Sequence, residues 1–152
     1  MRRIGWIVGG AFVIGTLDAA YAIIFWGMRG AGPVRIFQSI AAGLLGEAAF
    51  RGGLRTEALG LALHYFISLA IVVMYWLASR LWPVLTRRPI VCGALYGIGV
   101  YLVMNYVVIP LSATSRPRFL LSWVVCSLIV HAFLIGVPAA FFARTALEAK
   151  AK

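Results

Sequence analysis

Long apolar runs constrain the fold of this chain more than any other feature of its sequence. Four stretches, residues 4–28, 58–79, 89–112 and 119–143, contain one formally charged side chain between them, Asp18. A transmembrane helix needs roughly 20 consecutive, mostly apolar residues, and each stretch is long enough. The sequence therefore predicts an all-α, multi-pass membrane protein in which four transmembrane helices form a single domain.

The composition supports the same class of protein. Hydrophobic residues make up 63% of the chain and charged residues 12%, whereas a soluble domain is about 45–50% apolar and about 25% charged. This excludes a soluble globular enzyme, a disordered chain and a secreted disulfide scaffold. The net charge of +10 comes from basic residues at the ends of the apolar runs. Because membrane proteins place basic residues there, we expect membrane lipids as partners and no nucleic acid.

Prolines mark the limits of the apolar runs. Pro89 opens the third run, and Pro110 closes it, positions that suit helix entry and exit. Pro138 lies inside the fourth run, where it removes a backbone hydrogen bond and is expected to kink the helix. Aromatic residues near the ends of the runs predict rings at the membrane–water boundary; they include Trp6, Trp26, Trp82 and Trp123.

The segment 34–50 does not have the composition of a clean span. It contains Arg35, Gln38 and Glu47, yet its apolar residues recur at helical spacing along one face. The pattern predicts an amphipathic helix, preceded by Pro33 and terminated by Gly52–Gly53. Such a helix lies in the interface or re-enters the membrane. A fifth span is the alternative interpretation.

The first run has some features of a secretory signal peptide. Arg2 and Arg3 precede it, and Ala20-Tyr21-Ala22 resembles a cleavage site. Apolar residues continue past that site, so we interpret the run as an uncleaved anchor. With four spans both termini share one side, which carries eight of the Lys and Arg residues against six on the other. This small excess predicts cytoplasmic termini.

Each run contains one strongly polar side chain in the central or outer part of the bilayer: Asp18, His64, Asn105 and His131. An Asp at the centre costs roughly 2.5–3.5 kcal/mol on insertion, while each large aliphatic residue returns about 0.3–0.6 kcal/mol. Asp18 is therefore expected to face the interior and to find a partner or be protonated.

Further polar residues share the helical faces of these four; they are Tyr21, Ser68, Tyr101 and Ser127. The faces together predict a hydrated cavity or a proton-sensitive site that opens to the outer side. The alternative is that each polar residue makes only a structural hydrogen bond between helices.

Cofactor and packing hypotheses follow from the same residues. His64 and His131 could ligate a haem, or hold a metal together with Asp18. Their spacing is specific to neither, so no cofactor and no metal is predicted. The pairs Gly5–Gly9 and Gly93–Gly97 have the spacing that allows close helix approach, within the bundle or across a homodimer seam.

Part of the sequence resembles the YagU-type family of small bacterial inner-membrane proteins. The resemblance covers about residues 64–111 and is carried by His64, Tyr75, Pro83, Gly93, Gly97 and Ile109-Pro110-Leu111. It implies a helical protein of the bacterial inner membrane. It implies no mechanism, catalytic residue or cofactor.

Taken together, these features predict a non-enzymatic protein with a polar intramembrane site for transport, permeation or sensing of a small solute or proton. The alternative is a structural or accessory subunit of a larger membrane complex, and a homo-oligomer is compatible with both. A membrane-embedded enzyme is a third hypothesis and would depend on Glu47, Glu57 and nearby arginines.

Overall fold

The structure, a computed structural model, describes residues 2–114 and 120–149. Its helices are α1 (Arg2–Gly27), α2 (Pro33–Leu45), α3 (Gly53–Leu81), α4 (Val84–Arg87), α5 (Pro89–Leu111) and α6 (Leu121–Glu148). Helices α1, α3, α5 and α6 are each long and apolar enough to cross a membrane. The predicted all-helical class with four such helices is confirmed for the described residues.

Two of the long helices, α3 and α6, extend well beyond the apolar runs that predicted them. Helix α3 begins at Gly53 rather than at residue 58, and α6 continues to Glu148 rather than ending at residue 143. Charged residues are costly in hydrocarbon but not in a helix, so apolarity alone placed the start of α3 too late and the end of α6 too early. In the last turns of α6, Arg144 Nε lies 2.8 Å from Glu148 Oε1, at the i,i+4 spacing that stabilises an exposed helix.

The amphipathic segment folds as α2 followed by a 3₁₀ turn, Gly46–Arg51, and not as one helix. Pro33 is the first residue of α2, where its missing N–H costs nothing. Gly46 ends α2 because its φ of +59° is a left-handed conformation that glycine adopts without strain.

Helix α2 packs against the first half of α3. A Cβ atom on Gly60 would overlap the carbonyl group of Phe37, and the ring of Phe37 meets the His64 ring edge-on at 6.2 Å between centroids. Gln38 Nε2 donates to the carbonyl oxygen of Gly53 at 3.2 Å. Helix α2 is therefore docked on α3 through one face, on which Phe37, Ala41 and Ala42 are buried.

The core lies between α1, α3 and α6, where Ile14, Val72 and Ala139 are almost fully buried. The inward-facing residues of α3 repeat nearly every fourth position, as the sequence predicts; they include Gly60, His64, Ser68 and Tyr75. Large apolar side chains cover the outside of the bundle, among them Phe12, Phe66 and Leu95. Such a surface suits contact with lipid tails.

Both ends of the described chain lie at one end of the bundle. Arg2 from the start of α1, Trp76 from the end of α3 and Ala149 just after α6 line the same pocket. Helix α2 follows the opposite end of α1. This arrangement agrees with an even number of chain crossings.

Candidate functional site

A cavity of about 650 Å³ opens between α1, α2, α5 and α6, with one side formed by α3. Its walls are mainly apolar and aromatic, and a few polar side chains project into it. The polar and charged lining residues are Asp18, Arg35, Ser39, Tyr101, Asn105, Ser112, Thr114, Ser127 and His131. A concave, mostly apolar pocket with a few convergent polar groups is the usual form of a small-molecule site.

Helix α1 supplies Asp18. The buried residues Ile14 and Gly15 precede it by about one helical turn, so α1 carries Asp18 on the side that faces the other helices. The carboxylate makes no hydrogen bond and no ion pair within residues 2–114 and 120–149. The Asp18 side chain and the His131 ring line the same cavity.

Helix α5 supplies Tyr101 and Asn105. Nδ2 of Asn105 donates to the Tyr101 carbonyl oxygen at 2.9 Å. Asn105 lies in a π-helical turn, Met104–Val108, in which the N–H of Ile109 donates to Met104, five residues back. Pro110 explains this turn, because proline cannot donate to the carbonyl four residues before it and its ring crowds that carbonyl.

Helix α6, which packs against α5, also contains a π-helical turn followed by a proline. His131 begins a π-helical turn, His131–Gly136, in which the N–H of Val137 donates to Ala132, five residues back. Pro138 follows it, so the kink predicted there takes the form of a π turn. Nδ1 of His131 lies 2.9 Å from the Ser127 carbonyl oxygen, and the Tyr101 ring meets the His131 ring edge-on, with centroids 5.3 Å apart.

A hydrogen bond links α1 to α6 beside the cavity. The Tyr21 hydroxyl lies 3.0 Å from Ser127 Oγ, and Ser127 is completely buried. The Tyr21 ring stacks on the Trp123 ring, with centroids 5.1 Å apart. The centroids of the Trp123 and Trp26 rings are 5.2 Å apart. These contacts form an aromatic wall between Asp18 and the end of the bundle at which α1 is followed by α2.

Two parts of the site were not foreseen from the sequence. Trp26 and Trp123, expected only as interfacial rings, line the cavity. Helix α2 contributes Arg35 and Ser39 to the lining, whereas the sequence predicts only an interfacial or re-entrant helix there. The amphipathic pattern of α2 was the feature of the sequence that could have indicated this contribution. A polar helix face is stable beside other polar groups or water, and the cavity supplies such surroundings.

His64 and Ser68 lie apart from the cavity. His64 Nε2 is 2.8 Å from the carbonyl oxygen of Gly15, and Ser68 Oγ donates to the His64 carbonyl oxygen at 2.9 Å. Both side chains are buried between α3 and α1. Of the four predicted polar residues, the structure therefore brings together Asp18, Asn105 and His131, and it gives His64 an interhelical hydrogen bond.

The predicted glycine pairs also separate into two cases. A Cβ on Gly93 would lie 2.8 Å from the Gly136 carbonyl oxygen, and one on Gly97 would overlap the His131 carbonyl, so both glycines permit close approach of α5 and α6. A Cβ on Gly5 or Gly9 would have no described atom of another helix within 4 Å. The close approaches of α1 occur instead at Gly10, against Phe142, and at Gly15.

The geometry gives little support to the metal and haem hypotheses. Within the described residues, no group of three or more His, Cys, Asp or Glu side chains is placed to hold a metal ion. Because Nε2 of His64 bonds to Gly15 outside the cavity, His64 and His131 do not face a common space.

No protein-family model, curated protein or solved structure matches the chain, and the resemblance to the YagU-type family remains a prediction.

Proposed function

We propose that this chain is an integral membrane protein whose polar cavity takes up a small solute or protons, for transport, permeation or sensing. One observation carries the proposal. Asp18, Asn105 and His131, from three different helices, line a single cavity of about 650 Å³. Polar side chains inside apolar spans are costly to insert and commonly mark pathways for solutes or protons.

The backbone of the site supports the same function. Asn105 and His131 both lie in π-helical turns, each followed by a proline. Single π turns inside α-helices are frequent at functional sites, because they redirect side chains and loosen the local hydrogen-bond ladder. Two such turns on neighbouring helices aim polar groups into one cavity.

The proposed location is the bacterial inner membrane, with both termini in the cytoplasm. The family resemblance supports the inner membrane, and the small excess of basic residues on the side of the termini supports the orientation. In this orientation α2 lies at the periplasmic end of the bundle and covers part of the cavity. Solute would then enter from the periplasmic side.

Cysteine accessibility in membranes tests the proposal with an adjacent pair of residues on α3. Ile67 lines the cavity, whereas Phe66 is 67% exposed on the outer surface of the bundle. In a background without the free thiols of Cys92 and Cys126, the I67C and F66C variants are treated with a charged, membrane-impermeant methanethiosulfonate.

We expect the I67C thiol to react about tenfold or more faster than the F66C thiol, because the reactive thiolate forms in water and not in lipid. The two positions lie at nearly the same depth, so depth alone cannot produce this difference. Equal rates, or no reaction at either position, would mean that the cavity is not open to water.

A second candidate function is that of an accessory subunit in a larger membrane complex. The observation in its favour concerns the surface of α5. Only 11% of its 18-residue apolar stretch is buried within the bundle, against 28–33% for the other three long helices, so α5 leaves the most apolar surface for a partner. Purification in a mild detergent discriminates the two functions. A stable assembly with other proteins favours the accessory role, and a chain that purifies alone or only with copies of itself favours the cavity function.

A further inference from the structure

The three polar side chains that meet in the cavity all offer hydrogen-bond acceptors to its interior. Nδ1 of His131 is 2.9 Å from the Ser127 carbonyl oxygen. A carbonyl oxygen can only accept, so Nδ1 carries the proton and Nε2 of the neutral ring is left as an acceptor. Within the described part of the chain, Nε2 has no hydrogen-bond partner.

Asn105 and Asp18 present the same polarity. Because the amide nitrogen of Asn105 donates to the Tyr101 carbonyl oxygen at 2.9 Å, its Oδ1 is the atom left to accept. An ionised Asp18 has only acceptor oxygens, and no donor among residues 2–114 and 120–149 satisfies them. Three acceptors from three helices therefore face a common space.

An ionised Asp18 gives this group a negative charge. Asp18 is the one acidic side chain among the lining residues. The formally charged basic residue of the lining is Arg35 on α2, whose guanidinium lies over the Phe50 ring at 4.9 Å from its centroid. A ligand that complements Asp18, Asn105 and His131 has a positive charge and several N–H donors on one atom. A primary ammonium group, with three N–H donors, meets this requirement.

The remaining walls select an apolar body for that ligand. The rings of Trp26, Trp123 and Tyr101 line the cavity, and aromatic faces also attract cations. A volume of about 650 Å³ holds far more than an ammonium ion, and lies in the range of pockets that enclose whole small molecules.

We infer that the cavity binds the primary ammonium group of an amphipathic amine, with Asp18, Asn105 and His131 accepting its N–H donors and the aromatic wall holding its apolar part. The inference rests on the proposed function and names the class of solute. A free amine and the headgroup of an aminophospholipid share this chemistry.

Three probes of matched shape test the inference on the unmodified chain. The protein is placed in nanodiscs of phosphatidylcholine and phosphatidylglycerol, which contain no primary amine, and titrated calorimetrically with 2-phenylethylammonium, its N,N,N-trimethyl analogue and 2-phenylethanol. We expect the primary ammonium to bind about tenfold tighter than either of the others. The trimethyl analogue keeps the charge without N–H donors, and the alcohol lacks the charge.

Variants locate the binding. Asp18→Asn is expected to weaken 2-phenylethylammonium binding about 10- to 100-fold. Glu57→Gln removes a negative charge from α3 outside the cavity lining and should leave binding unchanged. Replacing phosphatidylcholine by phosphatidylethanolamine separates the two sources. Competition with the probe identifies the lipid headgroup, and undiminished binding identifies a free amine.

Several results would overturn the inference. Equal binding of the trimethyl analogue, equal binding of the alcohol, or an unchanged affinity in a folded Asp18→Asn variant would each do so. The comparison of probes does not depend on any variant, so it decides the question even if Asp18→Asn fails to fold. Absence of binding by all three probes, with a reactive I67C thiol, would refute the amine while leaving the cavity function in place.

Discussion

Gly97 lies directly against the main chain of His131, and a methyl group on its Cα would overlap the His131 carbonyl. The close approach of α5 to α6 therefore holds the π turn that carries a cavity residue. The contact between Gly97 and His131 therefore both packs α5 on α6 and positions a residue of the cavity.

We expect Gly97→Ala to destabilise the fold by about 1–3 kcal/mol, the usual cost of overpacking a tight interface. Gly99→Ala is the matched control, because nothing lies within 4 Å of a Cβ at that position, and removing a helical glycine stabilises by about 0.5–1 kcal/mol. Thermal unfolding in detergent measures both. A Gly97→Ala variant as stable as Gly99→Ala would contradict the close contact between Gly97 and His131.

Substitution of the two histidines is expected to affect different properties, stability for His64 and ligand binding for His131. His64→Leu removes the buried hydrogen bond to Gly15 and should lower stability by about 1–3 kcal/mol without changing probe binding. His131→Leu should weaken 2-phenylethylammonium binding about three- to tenfold, because it removes one neutral acceptor. Melting temperature and calorimetric affinity, measured on both variants, separate the roles. The prediction fails if both variants change the same quantity.

The Tyr21–Ser127 hydrogen bond can be measured as a coupling between α1 and α6. A double-mutant cycle of Tyr21→Phe and Ser127→Ala should give an interaction free energy of about 0.5–1.5 kcal/mol in unfolding. Tyr96→Phe provides the comparison, since the Tyr96 hydroxyl donates to the backbone of Ile71. Its cycle with Ser127→Ala should show no coupling, and a coupling of similar size there would point to a general loosening of the bundle.

Gly60 determines how α2 docks on α3. In Gly60→Ala the new methyl group would overlap the Phe37 carbonyl, so we expect α2 to separate from α3. Hydrogen exchange should then accelerate in residues 34–45 and remain slow in the middle of α3. Gly9→Ala, where the space is open, should leave this pattern as in the unmodified chain. Unchanged protection of α2 in Gly60→Ala would show that Phe37 does not rest on Gly60.

The four long helices could be predicted from the sequence. Charged residues are costly in hydrocarbon, so membrane spans are recognisable as long apolar runs. The sequence also indicated that Asp18 and His131 face inward, since the same cost applies to each polar residue within a span. It could not distinguish His131 from His64. That difference depends on whether a carbonyl of another helix, here that of Gly15 on α1, lies opposite the ring. Helix packing decides this, and helical periodicity does not.

The roles of α2 and of the two tryptophans were missed for a related reason. Amphipathicity shows that α2 has a polar face, but it does not show which part of the bundle Arg35 contacts. Likewise, the position of Trp26 along its span does not show in which direction the ring points. The π turns did have a signal in the sequence. Pro110 and Pro138 follow Asn105 and His131 within two turns, and an intrahelical proline displaces the hydrogen bonds of the residues just before it.

The π turn at His131–Gly136 has a consequence for how the chain can vary. Each π turn takes up one residue more than a regular turn, so a single-residue deletion there would restore the α-helical ladder. Because the π turn already absorbs that extra residue, the later residues of α6 would keep their orientation, and the alanines at 139, 140 and 143 would stay in the positions in which they are now fully enclosed. The rest of α6 therefore tolerates the loss of one residue in this stretch, whereas the same deletion in a regular turn would rotate all later residues by about 100°.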